Sequence, residues 1–391
     1  MSISDCRLIP SSDIVLFVAP FSYNPLSTWY SPGRFQKISQ VENLLTSLRF
    51  SIFRINTAPD PISDKQFGHL QLSPSNVPIL RIFQSLASTF TFLLSQPFRF
   101  KAPILWIYNT RLSEGLIALL ILLFLPSIPL YLQIEDLPFA RKQNAGLRGF
   151  LDLLTLHILV TRSDHIFVVS HHVGQTLQKL SRRSLPSLSV LPPHLSTRFL
   201  RIVKQRSRPF IKPTTTILYA GAYGEEKGVN DLIQAFLSIR TPGFILQLAG
   251  SVPDTLAKSI TANPNIHIIG YVSNSHLFHL YSGADVVVCP HHVSQLSSYI
   301  FPFKLVEYAA SGALPLFTRM PGTESLGLPS DCYFDSLDEL ASKLRDARSI
   351  WTRNHDTLVV CEEQLRDRYS FASIQSLVAS SMARITHHVN L

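Results

Sequence analysis

Short apolar runs alternate with segments of helical spacing throughout the first half of the chain. The first run covers residues 13–19 (DIVLFVA) and ends at Pro20. A run so rich in β-branched and aromatic residues predicts a buried strand. Similar runs occupy residues 50–56, 104–108, 129–134 and 165–169, and helical spacing appears over residues 34–48, 80–94, 113–125 and 147–162. Fully apolar strands that alternate with helices are typical of a parallel sheet covered on both faces.

The second half repeats this alternation. It predicts strands over residues 216–219, 244–249, 266–269, 286–289 and 314–317, helices over 229–239, 275–282 and 304–310, and a mostly helical end over 337–388. Residues 192–213 are rich in Pro and basic residues and have little periodicity, which is typical of a linker. We therefore predict an α/β protein with two Rossmann-like doubly wound domains, over residues 1–205 and 206–370. Residues 371–391 form a C-terminal helix, for which a return to the first domain is one option.

Composition supports two packed domains. The 391 residues exceed one ordinary core, and 46% of them are hydrophobic against 16% charged, as in well-packed globular proteins. The four cysteines show no CxxC spacing, so neither a zinc site nor a disulfide framework is indicated and a cytoplasmic setting is expected.

The N-terminus lacks the pattern of a signal peptide. Residues 116–125 are apolar but much shorter than the about 20 residues that span a membrane. We expect a buried helix there, with an interfacial or re-entrant segment as the alternative.

The positive charge is confined to the first half of the chain. Residues 1–205 hold 20 Lys and Arg against 10 Asp and Glu, whereas residues 206–391 hold 15 against 16. A basic domain suits nucleic acid, an anionic membrane surface or an acidic substrate. We find no nucleic-acid motif and expect no nucleic-acid partner. Peripheral binding to the inner membrane face is the leading interpretation, and charge that only aids solubility is the alternative of equal weight.

The first segment with chemical content is the turn from Gly221 to Gly228 (GAYGEEKG), after a predicted strand. Glycines let a backbone approach a ligand closely, and Lys227 supplies positive charge where helix N-termini favour a diphosphate. Taken alone, the turn also fits a simple surface loop with a solvated lysine. Further strands end at Gly250 and at Gly270, and the latter leaves space for a flat base.

A second segment, FPFKLVEYAASG, opens a helix near Pro302. Lys304 lies in its first turn, where it can neutralise a bound phosphate. Glu307 can accept hydrogen bonds from two vicinal hydroxyls, as a ribose presents them. The alternative for Glu307 is a solvated helix charge, but its apolar surroundings would make an unpaired carboxylate costly.

In this order the segments resemble the retaining GT-B glycosyltransferases of the group 1, or family 4, type, which include bacterial polysaccharide and lipopolysaccharide enzymes. The matching stretches are Gly221–Gly228, Gly270–Val272, Ala284–Pro290 and Glu307–Gly312. The resemblance implies two domains facing an interdomain cleft and a nucleoside-diphosphate-sugar donor. It implies these donor-binding residues: Gly221, Lys227, Gly250, Tyr271, Val272, Phe303, Lys304 and Glu307.

The chain differs from the family pattern at two positions. Ala222 stands where an arginine is usual, and Tyr299 stands at the first glutamate of the E-x(7)-E pair. The first change removes a cation for the diphosphate, and the second removes a contact to the transferred sugar. Lys304 can supply the missing cation. The donor sugar is therefore left unnamed.

The first half resembles the family only loosely, and its clearest candidates follow predicted strands. Glu135 and Asp136 follow the strand over residues 129–134, and either carboxylate can position or deprotonate an acceptor hydroxyl. Asp136 as the cap of a turn is the structural alternative. We also predict that the acceptor is bound by four further residues: Gly33, Arg34, Asn109 and His172.

These residues predict a glycosyltransferase that moves a sugar, with retention of configuration, to a glycan or lipid-linked acceptor. His291 and His292 suggest a metal, but adjacent histidines in a strand-end loop point apart, and the GT-B class needs no divalent cation; no metal or other cofactor is expected. A catalytically inactive GT-B scaffold that binds a partner or glycan is the alternative. A dinucleotide-dependent oxidoreductase is disfavoured because no GxGxxG follows the first strand.

Overall fold

The computed structural model describes residues 14–20, 32–57, 68–71, 78–95, 103–137, 146–181, 185–205, 209–210, 213–239, 241–253, 256–257, 260, 263–293 and 304–389. The chain divides into two compact units. The first contains residues 1–193 together with 374–391, and the second contains residues 194–373. The sequence predicts this boundary at residue 205 and a final helix from residue 371.

The first unit is a doubly wound α/β structure. Its strands are β1 (Ile14–Ala19), β2 (Ser51–Asn56), β3 (Gly68–Gln71), β4 (Ile104–Tyr108), β5 (Leu130–Ile134), β6 (His165–Val168) and β7 (Ser187–Val190). Its helices are α1 (Pro32–Ser47), α2 (Pro78–Ser95), α3 (Leu112–Phe124), α4 (Leu147–Arg162) and α5 (His171–Ser181). The seven strands are parallel in the order β3-β2-β1-β4-β5-β6-β7. The order reverses between β1 and β4.

The second unit repeats the plan with six parallel strands. They are β8 (Thr215–Ala220), β9 (Phe244–Ala249), β10 (Ile266–Gly270), β11 (Val286–Cys289), β12 (Leu314–Thr318) and β13 (Tyr333–Phe334), in the order β10-β9-β8-β11-β12-β13. The accompanying helices are α6 (Thr197–Lys204), α7 (Val229–Ser238), α8 (Asn274–Gly283), α9 (Lys304–Ala309), α10 (Pro321–Glu324), α11 (Leu337–Arg345) and α12 (Ala347–Arg368). The last helix, α13 (Phe371–Val389), begins in the second unit and continues into the first.

Apolar side chains explain why these strands form sheets with two covered faces. Every residue of β1 and β11 is buried, so neither strand shows the alternation of a sheet with one wet face. Aromatic rings fill the first core, where Trp106 stacks on Tyr131 and on Phe167 with ring centroids 5.8 and 5.0 Å apart. These rings therefore pack the three neighbouring strands β4, β5 and β6 against one another on one buried face.

Two expectations need correction. Residues 192–213 do not form a simple linker, because α6 lies within them and Phe199 and Val203 are buried. The apolar stretch 116–125 does form a helix, but it is buried on one side only: Ile117 and Ile121 face the core, while Leu123 is exposed. No described helix is both long enough and apolar enough to cross a membrane.

Candidate functional site

The strand order of the second sheet reverses between β8 and β11. Ligands of doubly wound sheets bind beside the carboxyl ends of strands at such a point. Here the turn after β8 contacts the segment after β11: the His292 N–H donates to the Glu226 carbonyl at 3.1 Å. Gly228 has φ +64°, and a Cβ on it would lie 1.6 Å from the Pro290 carbonyl oxygen. Glycine is therefore required for the turn to pack this closely.

Two lysines bring positive charge to the end of β11. Burial raises the pKa of the Cys289 thiol to about 12, whereas the charges of Lys227 and Lys304 both act to lower it. Burial lowers the pKa of Lys304 itself, and the nearby Glu307 carboxylate acts to raise it. Among the described residues, the exposed Glu226 lies 4.0 Å from Lys227, a separation that contributes little at a surface. Both predicted phosphate-binding lysines thus lie by one strand end, although 77 residues separate them in sequence.

Glu307 is buried, which removes the interpretation of a solvated helix charge. The Tyr281 hydroxyl donates to its Oε2 at 3.2 Å. The next residue fixes the helix to the neighbouring strand, because the Tyr308 hydroxyl donates to the Ala220 carbonyl at 2.9 Å and accepts from the Ala220 N–H at 2.7 Å. Through Tyr308, α9 is held against the end of β8, where the glycine turn begins.

His291 and His292 point in different directions. The Nδ1 atom of His291 lies 2.9 Å from the Cys289 Sγ atom, and the Nε2 atom of His292 lies 2.9 Å from an Asp231 oxygen. Burial, Lys227 and His292 together lower the pKa of His291 to about 3, so this imidazole is neutral at physiological pH. Within the described parts of the chain, no three His, Cys, Asp or Glu side chains cluster as a metal would require.

The remaining donor-site candidates lie at the ends of β9 and β10. The Gly250 N–H donates to the Gly270 carbonyl at 2.7 Å. A Cβ on Gly250 would lie 2.0 Å from the Gly221 carbonyl oxygen, so Gly250 allows the glycine turn to pass across the end of β9. Tyr271 is exposed and Val272 half-buried, directly after β10. They lie at the same edge of the sheet, two strands from β8. Phe303 and Tyr299 fall outside the described residues.

Asn109 organises the predicted acidic pair of the first unit. It has φ +61°, and its Oδ1 atom accepts hydrogen bonds from the backbone N–H groups of Glu135 at 2.9 Å and Asp136 at 3.2 Å. The end of β4 is thereby tied to the end of β5. Asn109 is a positioning residue for the two acids in this structure, and it is itself buried.

Both oxygens of Glu135 are engaged. Its Oε2 accepts from the Lys37 ammonium at 2.5 Å and its Oε1 from the Gln133 amide at 2.8 Å. Gln133 in turn accepts from the Trp106 indole at 3.1 Å. Burial acts to lower the pKa of Lys37, but Glu135 and Asp136 outweigh it and raise that pKa above its ordinary value. The sequence does not predict this role for Lys37, because nothing in the helical pattern of residues 34–48 distinguishes it.

The sequence also offers no prediction for the acidic residue Glu114. Glu114, at the start of α3, is buried and accepts from the Thr57 hydroxyl at 2.7 Å and the Ser113 hydroxyl at 2.6 Å. Thr57 follows β2, so this contact lies beside the reversal point of the first sheet. The available sequence signal was a carboxylate at the start of an apolar helix just after a strand. His172, predicted to bind the acceptor, lies in the first turn of α5. Gly33 and Arg34 lie in α1.

A match to a known protein family lies in the second unit of the chain. A family model described as "Glycosyl transferases group 1" matches residues 214–347, within the second unit. No curated protein sequence matches the chain significantly.

Solved structures resemble the chain over nearly its whole length. Sucrose-phosphate synthase from Thermosynechococcus elongatus has a TM-score of 0.72 at 15% identity, covering 96% of this chain and 100% of that chain. The lipopolysaccharide outer core galactosyltransferase WaaB has 0.67 at 13% identity, covering 95% and 100%. Anabaena HepE, solved with UDP and glucose, has the same TM-score, identity and coverage. At such identities the likeness shows the fold. The chain has the GT-B fold, and part of its second unit matches the model of the glycosyl transferases group 1 family.

Proposed function

We propose that this protein transfers a sugar from a nucleoside-diphosphate-sugar donor to a hydroxyl of a glycan or lipid-linked acceptor, with retention of configuration. The proposal rests on the charges at the reversal point of the second sheet: Lys227 and Lys304 both act to lower the pKa of Cys289 at the end of β11, and buried Glu307 acts on Lys304. Two ammonium groups suit a diphosphate, and a carboxylate one helical turn away suits ribose hydroxyls. The crystal of HepE contained UDP and glucose, which makes UDP-sugars the first donors to test.

The chemistry requires little beyond charge stabilisation. The bond between the anomeric carbon and the diphosphate oxygen breaks, and the acceptor oxygen bonds to the same carbon while its proton is released. Negative charge grows on the departing diphosphate, and Lys227 and Lys304 are placed to stabilise it. A prearranged pair of cations acts on the transition state more than on the bound donor, which is the condition for raising the rate of transfer.

In the first unit, Asp136 is the better candidate for the acceptor hydroxyl. Glu135 is engaged by Lys37 and Gln133 through both of its oxygens, so proton removal by Glu135 would require breaking an ion pair. Asp136 is half-buried and is held beside it through Asn109. We assign Asp136 to orienting the acceptor hydroxyl and Glu135 with Lys37 to keeping that strand end rigid.

A donor panel tests the proposal directly. The purified protein is incubated with UDP-, GDP- and ADP-sugars, and nucleotide release is measured together with nucleotide binding by calorimetry. We expect binding and slow release with one nucleotide class. The anomeric configuration of the product, read by NMR, tests retention. A folded protein that binds no member of the panel overturns the enzyme proposal.

An inactive scaffold is the second candidate, favoured by Ala222 and Tyr299, which replace a cation and a carboxylate of the family pattern. This candidate predicts that neither Lys227 nor Glu307 is needed for the biological activity, whereas the enzyme proposal requires both. If the protein only binds a partner, Lys227→Ala and Glu307→Ala leave its biological activity unchanged.

The basic first half also supports a location at the cytoplasmic face of the inner membrane, where a lipid-linked acceptor would be found. The excess of 20 Lys and Arg over 10 Asp and Glu lies entirely in residues 1–205. Anionic lipid headgroups attract such a surface.

A further inference from the structure

Three neighbouring helices of the first unit expose large apolar side chains. Helices α2, α3 and α4 pack side by side, α2 against α3 and α3 against α4. Leu123 is 76% exposed, Leu147 74%, Phe83 67% and Phe150 61%. We call the outward surface of these three helices the apolar face; it is defined by Phe83, Phe90, Leu123, Leu147, Phe150 and Leu154. Single exposed apolar residues are common, but a group that extends over adjacent helices indicates an interaction surface.

The apolar face is continuous between helices. The rings of Phe90 on α2 and Phe124 on α3 meet edge to face with centroids 5.4 Å apart, and both remain partly exposed. On α4 the exposed apolar positions 147, 150, 154 and 158 recur at helical spacing on one side. The opposite side of α4 is occupied by buried residues such as Leu156 and Leu159. The helix is therefore apolar on both its inner and its outer side.

Charge distinguishes this surface from a protein contact. Residues 78–162 contain eight Lys and Arg and four Asp and Glu. Three of the four acids are buried: Glu114 bonds Thr57, Glu135 bonds Lys37, and Asp152 accepts from the Leu112 N–H at 2.7 Å. The fourth, Asp136, lies at the end of β5. Thus no described residue on the outward side of the three helices carries a carboxylate, while Arg148 and Arg162 of α4 are exposed.

We infer that the apolar face docks on a bilayer surface that contains anionic lipids. Leucine and phenylalanine side chains enter the boundary between headgroups and acyl chains, and Arg148 and Arg162 meet the phosphates, as in peripheral helices that lie in the membrane plane. The inference deepens the proposed function by naming the surface that would reach a lipid-linked acceptor. It does not require catalysis, so the two can fail separately.

The test is flotation of the full-length protein with vesicles. The probes are pure phosphatidylcholine vesicles and vesicles with about 30% phosphatidylglycerol, at low and high salt, because screening weakens headgroup attraction. We expect binding to the anionic vesicles, weaker binding at high salt and little to neutral ones. Leu123→Asp with Phe150→Asp should weaken binding at least about tenfold, since a carboxylate on this face opposes both burial and anionic headgroups.

The matched control is Leu237→Asp with Val360→Asp. These exposed apolar residues lie on α7 and α12 of the second unit, 50% and 51% exposed, and the control should bind vesicles like the parent. UDP affinity is measured on each protein. Loss of vesicle binding with UDP affinity intact supports the inference, and equal vesicle binding by all three proteins overturns it. Failure of every nucleotide of the donor panel to bind any of the three proteins contradicts the proposed function and leaves the vesicle result standing.

A second copy of the chain is the other possible occupant, and light scattering distinguishes it. If the parent is a dimer without vesicles and Leu123→Asp with Phe150→Asp makes it a monomer, the face is a protein interface and the lipid inference is wrong. A parent that is monomeric at the same concentration and still floats with anionic vesicles supports the inference.

Discussion

The positive charge at the end of β11 comes from two residues that differ in surroundings. Lys227 lies on the glycine turn and is partly exposed, and the carboxylate of the exposed Glu226 lies 4.0 Å from its ammonium group. Lys304 lies in the first turn of α9, where burial disfavours its ammonium form. Because a diphosphate carries charge on both phosphates, the two lysines can each meet one phosphate without competing. Each lysine then has its own measurable consequence.

Replacement of Lys227 by methionine tests the role of Lys227 in stabilising the leaving diphosphate. The side chain keeps its length but loses its charge, so the growing charge of the leaving diphosphate loses one partner. We expect kcat/KM for the accepted donor to fall about 100-fold, the usual effect of removing one such group. Steady-state nucleotide release measures it. Lys343→Met is the control, since Lys343 pairs with Glu339 on α11 and should change kcat/KM by less than about twofold. An equal loss in both variants would contradict the assignment.

The pH dependence of nucleotide binding tests the role of Lys304 in holding the diphosphate. Burial lowers the pKa of Lys304 below 10.5, so the ammonium is present at low pH and is lost as pH rises through that lowered pKa. UDP affinity should therefore decline on the alkaline side before an exposed lysine would titrate. In Lys304→Arg the guanidinium stays charged throughout, and the early decline should disappear. Calorimetry between about pH 7.5 and pH 10 measures this. Identical profiles for the two proteins would show that another group titrates.

At the residue scale, the sequence identified side chains in strand-end motifs and missed those that depend on distant contacts. Lys227, Lys304 and Glu307 follow recognisable strand ends or open a helix, so their type and order carried information. Lys37 meets Glu135 across 98 residues of sequence, and the helical pattern around Lys37 only indicates an amphipathic helix. The contact depends on how α1 packs against the sheet, which no local pattern specifies.

At the scale of the elements, the turn between β8 and α7 depends on one glycine, Gly228. Gly228 combines φ +64° with the close approach to the Pro290 carbonyl oxygen. Gly228→Ala should move the turn away from β11 and lower the free energy of unfolding of the second unit by about 3 kcal/mol. It should also weaken UDP binding, because Lys227 precedes this residue directly. Urea unfolding and calorimetry measure the two effects.

Gly283→Ala is the matched control for this turn. A Cβ at Gly283 would meet nothing within 4 Å, and its φ is not in the left-handed region. We expect its stability and UDP affinity to stay close to those of the parent. Should Gly228→Ala behave like Gly283→Ala, the turn would not depend on its contact with Pro290.

Elements with apolar or periodic patterns were predicted well, and short elements without an apolar run were not. The predicted ranges for β4 and α4 agree with the structure at both ends. The strand β3, four residues long, and β7, which is only partly buried, carry no strong apolar run. Helix α6 was missed because Pro192 and Pro193 and several basic residues precede or interrupt it, although Ser196 caps it by accepting from the Phe199 N–H at 3.0 Å.

At the scale of the whole molecule, the chain does not divide into two consecutive pieces. Residues 374–391 belong to the first unit although the second unit precedes them. The sequence predicted a final helix but left its location open, since an amphipathic helix does not specify which core it covers. Its buried residues Ile374, Val378 and Met382 recur every four positions, and this stripe lies on one side of the helix.

Deletion of residues 374–391 should therefore destabilise the first unit and spare the second. The apolar stripe of α13 is buried, the Gln375 amide donates to the Ser47 hydroxyl at 2.9 Å, and the Ser381 hydroxyl lies 3.3 Å from that of Ser189. Exposing what three such side chains cover costs about 5 kcal/mol. Hydrogen exchange should show faster exchange in β1 and β2 with little change in β8 and β11, and UDP affinity should persist.

Ala372→Ser, on an exposed position of α13, is the control for the deletion and should change the stability of neither unit. Because the stripe alone supplies most of the effect, replacing its three residues by serine in the full chain should reproduce the deletion; uniform loss of protection in both units would mean that α13 stabilises them together.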